Sequence, residues 1–531
     1  MAEVTAAQEP DDKGATTVLV LTAICMMVVG FNTTAVATVL PNLKSDLDLT
    51  PSQLQWVMAV YTVVSATLVL VLSRLGDISG KLGIFILGMV IFAIGSTAVM
   101  LATGPVTLLA GRGAQGAGAA ALFGTSLSLL TAATPEPRRA GVVGIWGAIV
   151  GLAMSLGPIV GGAFAHFLNW RGIFALDLAL LGIAFILALS VRRRHLVPDT
   201  QMPGARLDLP GALAILLLLG PLSFALSNGE SQGWLKAMTL GPMVIAVLAF
   251  GGLIYTARRS TDPLIELRYF RHPRYVMAAA GMGLTGFALF CFFVFFSIFV
   301  QSPDALAFSP IVAGFALLPL SASLFFVSII APRVLAPYNF RWPICIGMAA
   351  MAIGFILLAT TDNTTAYGQI WWKLVIVGCG IGICFSLFPR LGMRLLPDQH
   401  SGQGSGVINT CLYFGATLGA VLGGLAVAIT TRAGLSKVIA ALPAGASARP
   451  ELSRALAHGS PSDIQQILSG LDPGTSKALA EALRDLQDNA FDSAVFLAAA
   501  ASAIGCALTF WLMRGPVPPV KDATRFTEEA I

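Results

Sequence analysis

The feature that most constrains this chain is a succession of long apolar segments, with almost every charged side chain confined to the connections between them. A helix needs roughly 20 apolar residues to cross a bilayer, and about fourteen segments reach that length. With 56% hydrophobic and only 11% charged residues, the composition departs from that of a soluble globular domain. The segments therefore predict an all-α membrane protein with about fourteen transmembrane helices.

Polar connections, most of them short, separate the predicted spans. In order, the spans lie near residues 16–40, 53–73, 82–103, 105–130, 140–165, 172–191, 210–227, 237–257, 275–300, 309–331, 342–361, 373–390, 403–430 and 492–513. The first span is too long for the apolar core of a signal peptide, and it lacks a convincing small-residue cleavage site. We therefore expect it to remain in the mature chain.

Lys and Arg residues are concentrated in alternate connections, such as the one that begins with Arg192, Arg193 and Arg194. Short loops rich in basic residues stay on the cytoplasmic side of a membrane. We therefore expect a multi-pass protein of the cell inner membrane with both termini in the cytoplasm. The net charge of +5 follows from this sorting and does not indicate a nucleic-acid partner.

Several functional classes lack the residues that they need. The seven cysteines all lie in apolar spans, without a CxxC motif or a Cys/His pair that would hold a metal. The sequence has no GxxxxGK[ST] segment to bind ATP phosphates. No span offers the paired acids, His or Cys of an intramembrane enzyme. We predict no cofactor, no metal and no enzymatic activity.

Two distant stretches, residues 116–162 and 380–424, resemble each other. Each runs from one glycine-rich span through a Pro-containing connection into a second span that ends in paired glycines. Parallel repeats of this kind place a substrate site between two bundles near the middle of the membrane. The predicted organisation is a six-helix bundle at 1–195, two inserted helices at 196–260, a second six-helix bundle at 261–513 with an extracytoplasmic loop at 431–492, and a cytoplasmic tail at 514–531.

The extracytoplasmic loop is the one sizeable soluble portion. Its stretches IQQIL and SKALAEALRDLQ have helical spacing, and the loop is interrupted by Pro443, Pro450, Pro461 and Pro473. We expect short amphipathic helices there. If the loop were the working part, the protein would be a transporter-derived sensor or scaffold, which remains an alternative to transport.

Arg112 is the clearest charge inside a span. A charge in hydrocarbon is costly unless it faces a cavity or a partner, so it marks a functional site by default. Gln115 lies three residues further along and therefore on the same helical face. The alternative is that Arg112, only a few residues into its span, extends its side chain to the outer membrane surface.

Asp177 is the one well-embedded acid among the spans. It lies within two helical turns of Arg171 near the predicted outer face. It is therefore either a structural partner of Arg171 or Trp170, or a group that carries a proton across the membrane. The second reading makes Asp177 a candidate coupling residue.

Several motifs follow one another in the order of a known family. They are FNTTAVATVLP at 31–41, similar to LDxTIVNVALP; SRLGDISGKLG at 73–83, similar to GxLaDRxGRR; LLAGRGAQGAGAA at 108–120, similar to RxxQGxG; and Gly147, Gly151 and GPIVGG at 157–162, similar to an exporter's antiporter motif. The chain resembles the major facilitator superfamily, specifically its 14-helix drug:proton antiporter branch.

The resemblance implies a secondary transporter that exports small lipophilic or amphipathic compounds by alternating access, coupled to protons. Its partners would be a small-molecule substrate, protons and membrane lipids, and we expect a monomer. In the family, the Arg corresponding to Arg112 acts in proton coupling or holds substrate. An uncoupled or lipid-translocating transporter of the same fold is the alternative.

Two motifs imply moving parts. The gating segment, Gly76, Asp77, Gly80 and Lys81, would latch one conformation, but Ile78 replaces the family's Arg, so we expect a weakened latch. The glycine-rich span holds Gly147, Gly151, Gly157, Pro158, Gly161 and Gly162. These residues either allow tight helix packing or form the hinge that closes one side of the cavity in exporters.

The main departure from the family is Asn32, where the first motif commonly has an Asp. An amide cannot titrate, so the group that couples transport to protons is not evident in this motif. Asn32, Thr34 and Gln115 from the first half, and Asn409 and Tyr413 from the second, are candidates for polar contacts in an otherwise apolar cavity. Phe290 and its aromatic neighbours in the ninth span are candidates for an aromatic wall, although core packing explains most of them.

Overall fold

The computed structural model describes residues 12–49, 51–197, 206–302, 306–335, 339–362, 365–396, 401–441 and 473–515. The α-helices in these ranges are α1 Asp12–Thr38, α2 Leu40–Leu47, α3 Pro51–Ser79, α4 Lys81–Met100, α5 Pro105–Ala132, α6 Glu136–Phe167, α7 Arg171–Arg193, α8 Leu209–Gln232, α9 Ala237–Arg259, α10 Pro273–Gln301, α11 Pro310–Ala316, α12 Leu318–Val334, α13 Arg341–Leu358, α14 Trp371–Arg394, α15 Ser401–Ala441 and α16 Pro473–Leu512. Short 3-10 helices lie at Leu267–Arg271 and Tyr367–Gln369.

The described helices include 13 candidate membrane spans by length and hydropathy. Helix α5 is not among them, since it contains Arg112 and many glycines and hydroxyl side chains. It is nevertheless 28 residues long and packs between α3 and α4. With α5 as the fourteenth span, the predicted all-α membrane fold is confirmed.

The helices form two groups that repeat one packing scheme. In the first group α1 packs on α6 and α4 packs on α5; in the second, α10 packs on α15 and α13 packs on α14. The groups meet where α6 contacts α12 and where α3 contacts α15. We call the groups the first and second bundle, and the face of the molecule at which α1 begins the N-terminal face.

Glycines on the equivalent helices α5 and α14 permit this packing in both bundles. A Cβ on Gly118 of α5 would lie 2.6 Å from the backbone nitrogen of Phe92 in α4. A Cβ on Gly380 of α14 would lie 2.6 Å from the carbonyl oxygen of Gly347 in α13. Neither side chain could fit without moving a helix, so the repeated sequence corresponds to repeated backbone contact.

Helices α8 and α9 lie outside the two bundles. Helix α8 packs on both α3 and α15, and α9 packs on α8. The rings of Trp56 and Phe224 join α3 to α8 with their centroids 5.1 Å apart. The inserted pair therefore covers the seam where α3 meets α15.

Two predicted segments differ in detail. The tenth span is broken into α11 and α12 at Leu317, because Pro319 cannot donate the helical hydrogen bond to Phe315. The expected separate amphipathic helix at 476–487 is wrong: this stretch belongs to α16, since no proline separates it from the last span. IQQIL lies outside the described residues.

Candidate coupling site and central cavity

Five side chains from four helices of the first bundle meet in one hydrogen-bonded cluster, which we call the polar ring. Its members are Asn32 of α1, Ser96 of α4, Arg112 and Gln115 of α5, and Asp177 of α7. None is more than 1% exposed. A buried acid and a buried base thus lie in one network, as the cost of burying charges requires.

Hydrogen bonds run around the ring in both directions from Arg112 to Asp177. On one side Arg112 Nη1 donates to Asn32 Oδ1 at 3.2 Å, and Asn32 Nδ2 donates to Asp177 Oδ2 at 2.7 Å. On the other, Arg112 Nη1 donates to Gln115 Oε1 at 2.9 Å, and Gln115 Nε2 donates to Ser96 Oγ at 2.8 Å. Ser96 Oγ then donates to Asp177 Oδ2 at 3.2 Å. The Asn32 amide therefore links Arg112 to Asp177 directly, and the Gln115 amide links them through Ser96.

Arg112 is held by further contacts with α3. Its Nε donates to the Val57 carbonyl at 3.0 Å, and its guanidinium lies 4.5 Å from the centroid of the Tyr61 ring. Arg112 is 0% exposed, so the interpretation that it reaches the membrane surface is wrong. Its Nη2 has no hydrogen-bond partner within the described ranges, which leaves the two N–H groups of this nitrogen unused.

Asp177 does not pair with Arg171 or Trp170, and that expectation is wrong. Both of those residues use Asp46 instead: Trp170 Nε1 donates to Asp46 Oδ2 at 2.8 Å, and Arg171 Nη1 lies 3.5 Å from the same oxygen. Helix α2, which follows α1 directly, brings Asp46 to this end of the bundle. Asp177 is thereby left to the polar ring.

Ser96 is the member of the ring that the sequence did not single out. Its neighbour Thr97 has the same kind of hydroxyl but donates to Ala93 of its own helix at 2.9 Å. Nothing in the sequence around α4 distinguishes the two residues. Only the position of α4 against α7 makes Ser96 a partner of Asp177.

A small cavity lies between the two bundles, beside α1. Its lining is Val29, Gly30, Thr33, Phe123, Val150, Met154, Leu289, Phe290, Phe385, Leu412, Tyr413 and Ala416. The described residues that line it include no charged side chain. Its volume of about 20 Å³ leaves room for little more than one water molecule, which is far less than a pocket for a small organic compound needs.

The predicted cavity residues fall into two classes. Tyr413 lines the cavity and packs edge-on against Phe123 with ring centroids 5.0 Å apart. Asn409 instead donates to the Phe123 carbonyl at 3.2 Å and so joins α15 to α5. Of the aromatic residues in α10, Phe290 lines the cavity, whereas Phe292 packs against Phe355 in the second bundle.

The two bundles contact each other on both sides of the cavity. Toward the N-terminal face, Ser405 Oγ donates to the Gly124 carbonyl at 3.4 Å, alongside the bond from Asn409. Toward the opposite face, a Cβ on Gly314 of α11 would lie 2.9 Å from the nitrogen of Ile159 in α6. The bundles are therefore joined by side-chain hydrogen bonds on one side of the cavity and by close backbone approach on the other.

The glycines of α6 contact the second bundle along one part of the helix and α1 along another. Gly144 and Gly151 lie against Ser328 and Leu324 of α12, and a Cβ on Gly147 would lie 3.3 Å from the Phe385 carbonyl oxygen of α14. Gly157 and Gly161 lie against α1, in contact with Thr34 and Thr38, and Gly162 is buried nearby. Helix α6 is therefore packed tightly against the second bundle along one part and against α1 along another.

Adding a methyl group at Gly157 is expected to destabilise the protein. A Cβ there would overlap the Thr34 hydroxyl and lie 3.0 Å from the nitrogen of Ala35. We expect Gly157→Ala to lower the free energy of unfolding by about 1–3 kcal/mol, measured by thermal unfolding in detergent. Gly182→Ala on α7 is the control, because no atom lies within 4 Å of its added Cβ. Equal melting temperatures for the two variants would contradict the packing argument.

The gating segment lies where α3 meets the second bundle at the N-terminal face. Lys81 Nζ lies 3.8 Å from Asp77 Oδ1, and both side chains are buried. Gly80 has φ of 101°, a conformation that favours glycine, and links α3 to α4. A Cβ on Gly406 of α15 would lie 2.9 Å from the Ser73 side chain, one turn from Asp77. A Cβ on Gly76 would lie 2.8 Å from Thr125 of α5.

Comparison with known proteins identifies the family to which the chain is similar. The sequence profile of the Major Facilitator Superfamily matches residues 22–420. The multidrug resistance protein Stp of Mycobacterium tuberculosis is 28% identical over 407 residues, 76% of this chain and 74% of that protein. The cephamycin export protein CmcT of Amycolatopsis lactamdurans is 31% identical over 413 residues, 76% of this chain and 83% of that protein.

Solved structures share the fold at low sequence identity. The human organic anion transporter MFSD10 superposes with a TM-score of 0.61 at 12% identity, over 94% of this chain and 100% of that one. A bacterial homologue of the human lysosomal transporter Spinster, in an inward-facing and unoccupied conformation, gives 0.59 at 15% identity, over 95% of this chain and 98% of that one. The resemblance read from the motifs is confirmed: this multi-pass membrane protein belongs to the Major Facilitator Superfamily.

Proposed function

We propose that this protein exports small lipophilic or amphipathic compounds from the cytoplasm by alternating access, driven by the return of protons. The observation that carries the proposal is the polar ring, which lies beside the cavity and shares α1 with it: Asn32 belongs to the ring, whereas Gly30 and Thr33 line the cavity. The names of the relatives, a multidrug resistance protein and a cephamycin exporter, support export of drug-like compounds.

The cavity favours substrates without a strong charge. Apolar and aromatic side chains dominate the described lining, with the Thr33 and Tyr413 hydroxyls as its side-chain polar groups. A pocket of this kind binds apolar compounds by burial of surface, and a few polar groups orient them. Opening of the contacts between the bundles would enlarge the cavity to the size of a substrate.

Asp177 is the proposed proton carrier, and it takes the role of the acid that Asn32 replaces in the first motif. Ionised Asp177 accepts two hydrogen bonds at Oδ2, from Asn32 and from Ser96. Protonation, at either oxygen, removes the negative charge that strengthens both bonds and attracts Arg112. Protonation would therefore weaken the bond that joins α1 to α7, and this supports proton coupling over uncoupled transport.

The depth of the ring agrees with protons that enter from outside the cell. Arg112 is seven residues from the start of α5 at Pro105, and Asp177 is six residues from the start of α7 at Arg171. At 1.5 Å per residue, both lie about 10 Å from the face opposite the N-terminal face. We propose that this opposite face is extracytoplasmic and that both termini are cytoplasmic, as the distribution of basic residues predicts.

Transport by proteoliposomes that contain the purified protein tests this function. We expect a neutral lipophilic dye to accumulate in the lumen when the lumen is acidic, and we expect accumulation to stop when an ionophore collapses the pH gradient. Dye movement that does not depend on the pH gradient would favour an uncoupled or lipid-translocating transporter. No dye movement above that of protein-free vesicles would contradict export of such compounds.

A further inference from the structure

Pro158 leaves one backbone carbonyl of α6 without its helical donor. Proline has no N–H, so the hydrogen bond that residue 158 would give to the carbonyl of Met154 is absent. Met154 also lines the central cavity, so this interruption lies at the cavity wall. A buried carbonyl without a donor is costly in a membrane, and another group must supply one.

Thr34 of α1 supplies that donor. Its hydroxyl donates to the Met154 carbonyl at 2.7 Å, whereas the carbonyl of Gly30 in its own helix is 3.4 Å away. Since a hydroxyl has a single proton, the shorter bond, between the helices, is the main one. Thr34 is 4% exposed, so water does not readily replace it.

The backbones of α1 and α6 are in close contact around this bond. A Cβ on Gly30 of α1 would lie 2.5 Å from the Ala153 Cβ, and a Cβ on Gly161 of α6 would lie 2.5 Å from the Ala35 carbonyl oxygen. Glycines on both helices thus allow the approach that brings the Thr34 hydroxyl to Met154. Because the helices touch, a movement of α1 is passed to α6 at the proline.

The polar ring contacts the same helix on a different side. Asn32 precedes Thr34 by two residues, which corresponds to about 200° around a helix. Asn32 accordingly bonds to Arg112 and Asp177, while Thr34 bonds to α6. Helix α1 is therefore a rigid connection between the ring and the cavity wall.

We propose that Thr34 is a positioning residue that couples the polar ring to the bend of α6, by holding the Met154 carbonyl that Pro158 leaves unbonded. The proposal rests on the proposed transport function. A rearrangement of Asn32 shifts α1, Thr34 transmits the shift to Met154, and α6 changes its contacts with the second bundle. Through Gly144 and Gly151 those contacts reach α12 directly.

The helix of the second bundle that corresponds to α6 has no counterpart of this proline. Helix α15 corresponds to α6 in the repeat, and its sequence contains no proline. It packs on α10 through Gly415 and Gly419, whose added Cβ atoms would contact the carbonyl oxygens of Gly283 and Phe287. Of these two corresponding helices as described, α6 alone has the proline-dependent connection, and it lies in the bundle that carries the polar ring.

A double-mutant cycle with Pro158 tests the proposal. Thr34→Val removes the hydroxyl at nearly constant volume, and Thr34→Ser keeps it. Pro158→Ala restores an N–H to the backbone, so that the Met154 carbonyl regains a donor within α6. Thr22→Val is the matched control on α1, because Thr22 donates only to Val18 and Leu19 of its own helix, at 2.9 and 3.1 Å.

We expect Thr34→Val to lower the maximal rate of dye transport about tenfold with KM nearly unchanged, since an unbonded carbonyl disturbs the moving helix and not the binding surface. Thr34→Ser and Thr22→Val should transport within about twofold of the original protein. In the Pro158→Ala background, adding Thr34→Val should cause no further loss. An equal loss in both backgrounds, or a Thr34→Ser variant as slow as Thr34→Val, would overturn the proposal.

The same double-mutant cycle can be measured by thermal unfolding in detergent, without any substrate. Thr34→Val should lower the melting temperature of the original protein but not that of Pro158→Ala. If the original protein moves no dye, the proposed transport function fails, while this melting cycle still decides whether Thr34 holds the proline-freed carbonyl. Equal shifts in the two backgrounds would show that it does not.

Discussion

Asp177→Asn is expected to abolish proton-driven transport, with a loss of about 100-fold or more in the rate of dye accumulation under a pH gradient. The amide keeps the shape of the carboxyl, and its oxygen can still accept from Asn32 and Ser96, so the ring should stay assembled. It cannot take up or release a proton. Exchange of dye in the absence of a gradient requires no net proton movement and should persist.

Asp46→Asn is the matched control for this substitution. Asp46 also accepts a hydrogen bond in the first bundle, but from Trp170, which directly precedes α7 and lies outside the polar ring. We expect it to retain gradient-driven transport within about threefold. If Asp177→Asn accumulates dye in response to the gradient as well as Asp46→Asn does, Asp177 is not the proton carrier.

Exchanging the acid and the amide gives a second arm of the same test. In a protein that carries both Asn32→Asp and Asp177→Asn, the carboxyl lies next to Arg112 and the amide lies in α7. The family commonly has its acid at the position of Asn32, so this arrangement should restore part of the gradient-driven transport that Asp177→Asn loses. Restoration would show that the ring needs one acid but not a particular helix to carry it.

Arg112→Ala is expected to cost about 3–5 kcal/mol of unfolding free energy, because it leaves Asp177 as a buried charge without a cation in its network. It also removes the donors to Asn32, Gln115 and the Val57 carbonyl. Thermal unfolding in detergent measures the loss. Transport should fall with it, since the ring no longer connects α5 to α1.

Arg171→Ala is the control for Arg112→Ala. Arg171 pairs with Asp46 and donates to the Met100 and Ala102 carbonyls, but its side chain is 35% exposed and water can replace it, so we expect a smaller loss than that of Arg112→Ala. A further variant separates charge from packing: adding Asp177→Asn to Arg112→Ala removes the unpaired acid and should recover part of the lost stability. If the double variant loses as much unfolding free energy as the two single variants lose in sum, the ring is not stabilised by its paired charges.

Much of the fold could be predicted because a bilayer permits few solutions. Each long apolar stretch must form a helix to satisfy its backbone, so counting such stretches counts the spans. The glycine spacing around Gly118 and Gly380 revealed the repeat, since close helix contact needs glycine at matching places in both copies. The break at Leu317 and the length of α16 depended on local proline positions and were missed.

The site could be predicted only in part. Arg112 and Gln115 are three residues apart, and their hydrogen bond of 2.9 Å follows from helical geometry. Asn32 and Asp177 are 145 residues apart, and no local rule relates them. Asp177 is closer than Asp46 to Arg171 along the chain, but helix α2 places Asp46 beside Arg171 in the folded protein.

The sequence by itself determined that the chain crosses a membrane about fourteen times in two related halves, because hydropathy and glycine spacing act along one helix or between repeated helices. It also singled out Asn32, where an acid was expected. Only the tertiary structure decided what replaces that acid and how Thr34 reaches the carbonyl freed by Pro158. Side chains far apart in sequence meet only after helices pack, and the rotation of each helix within the bundle selects which of them face one another.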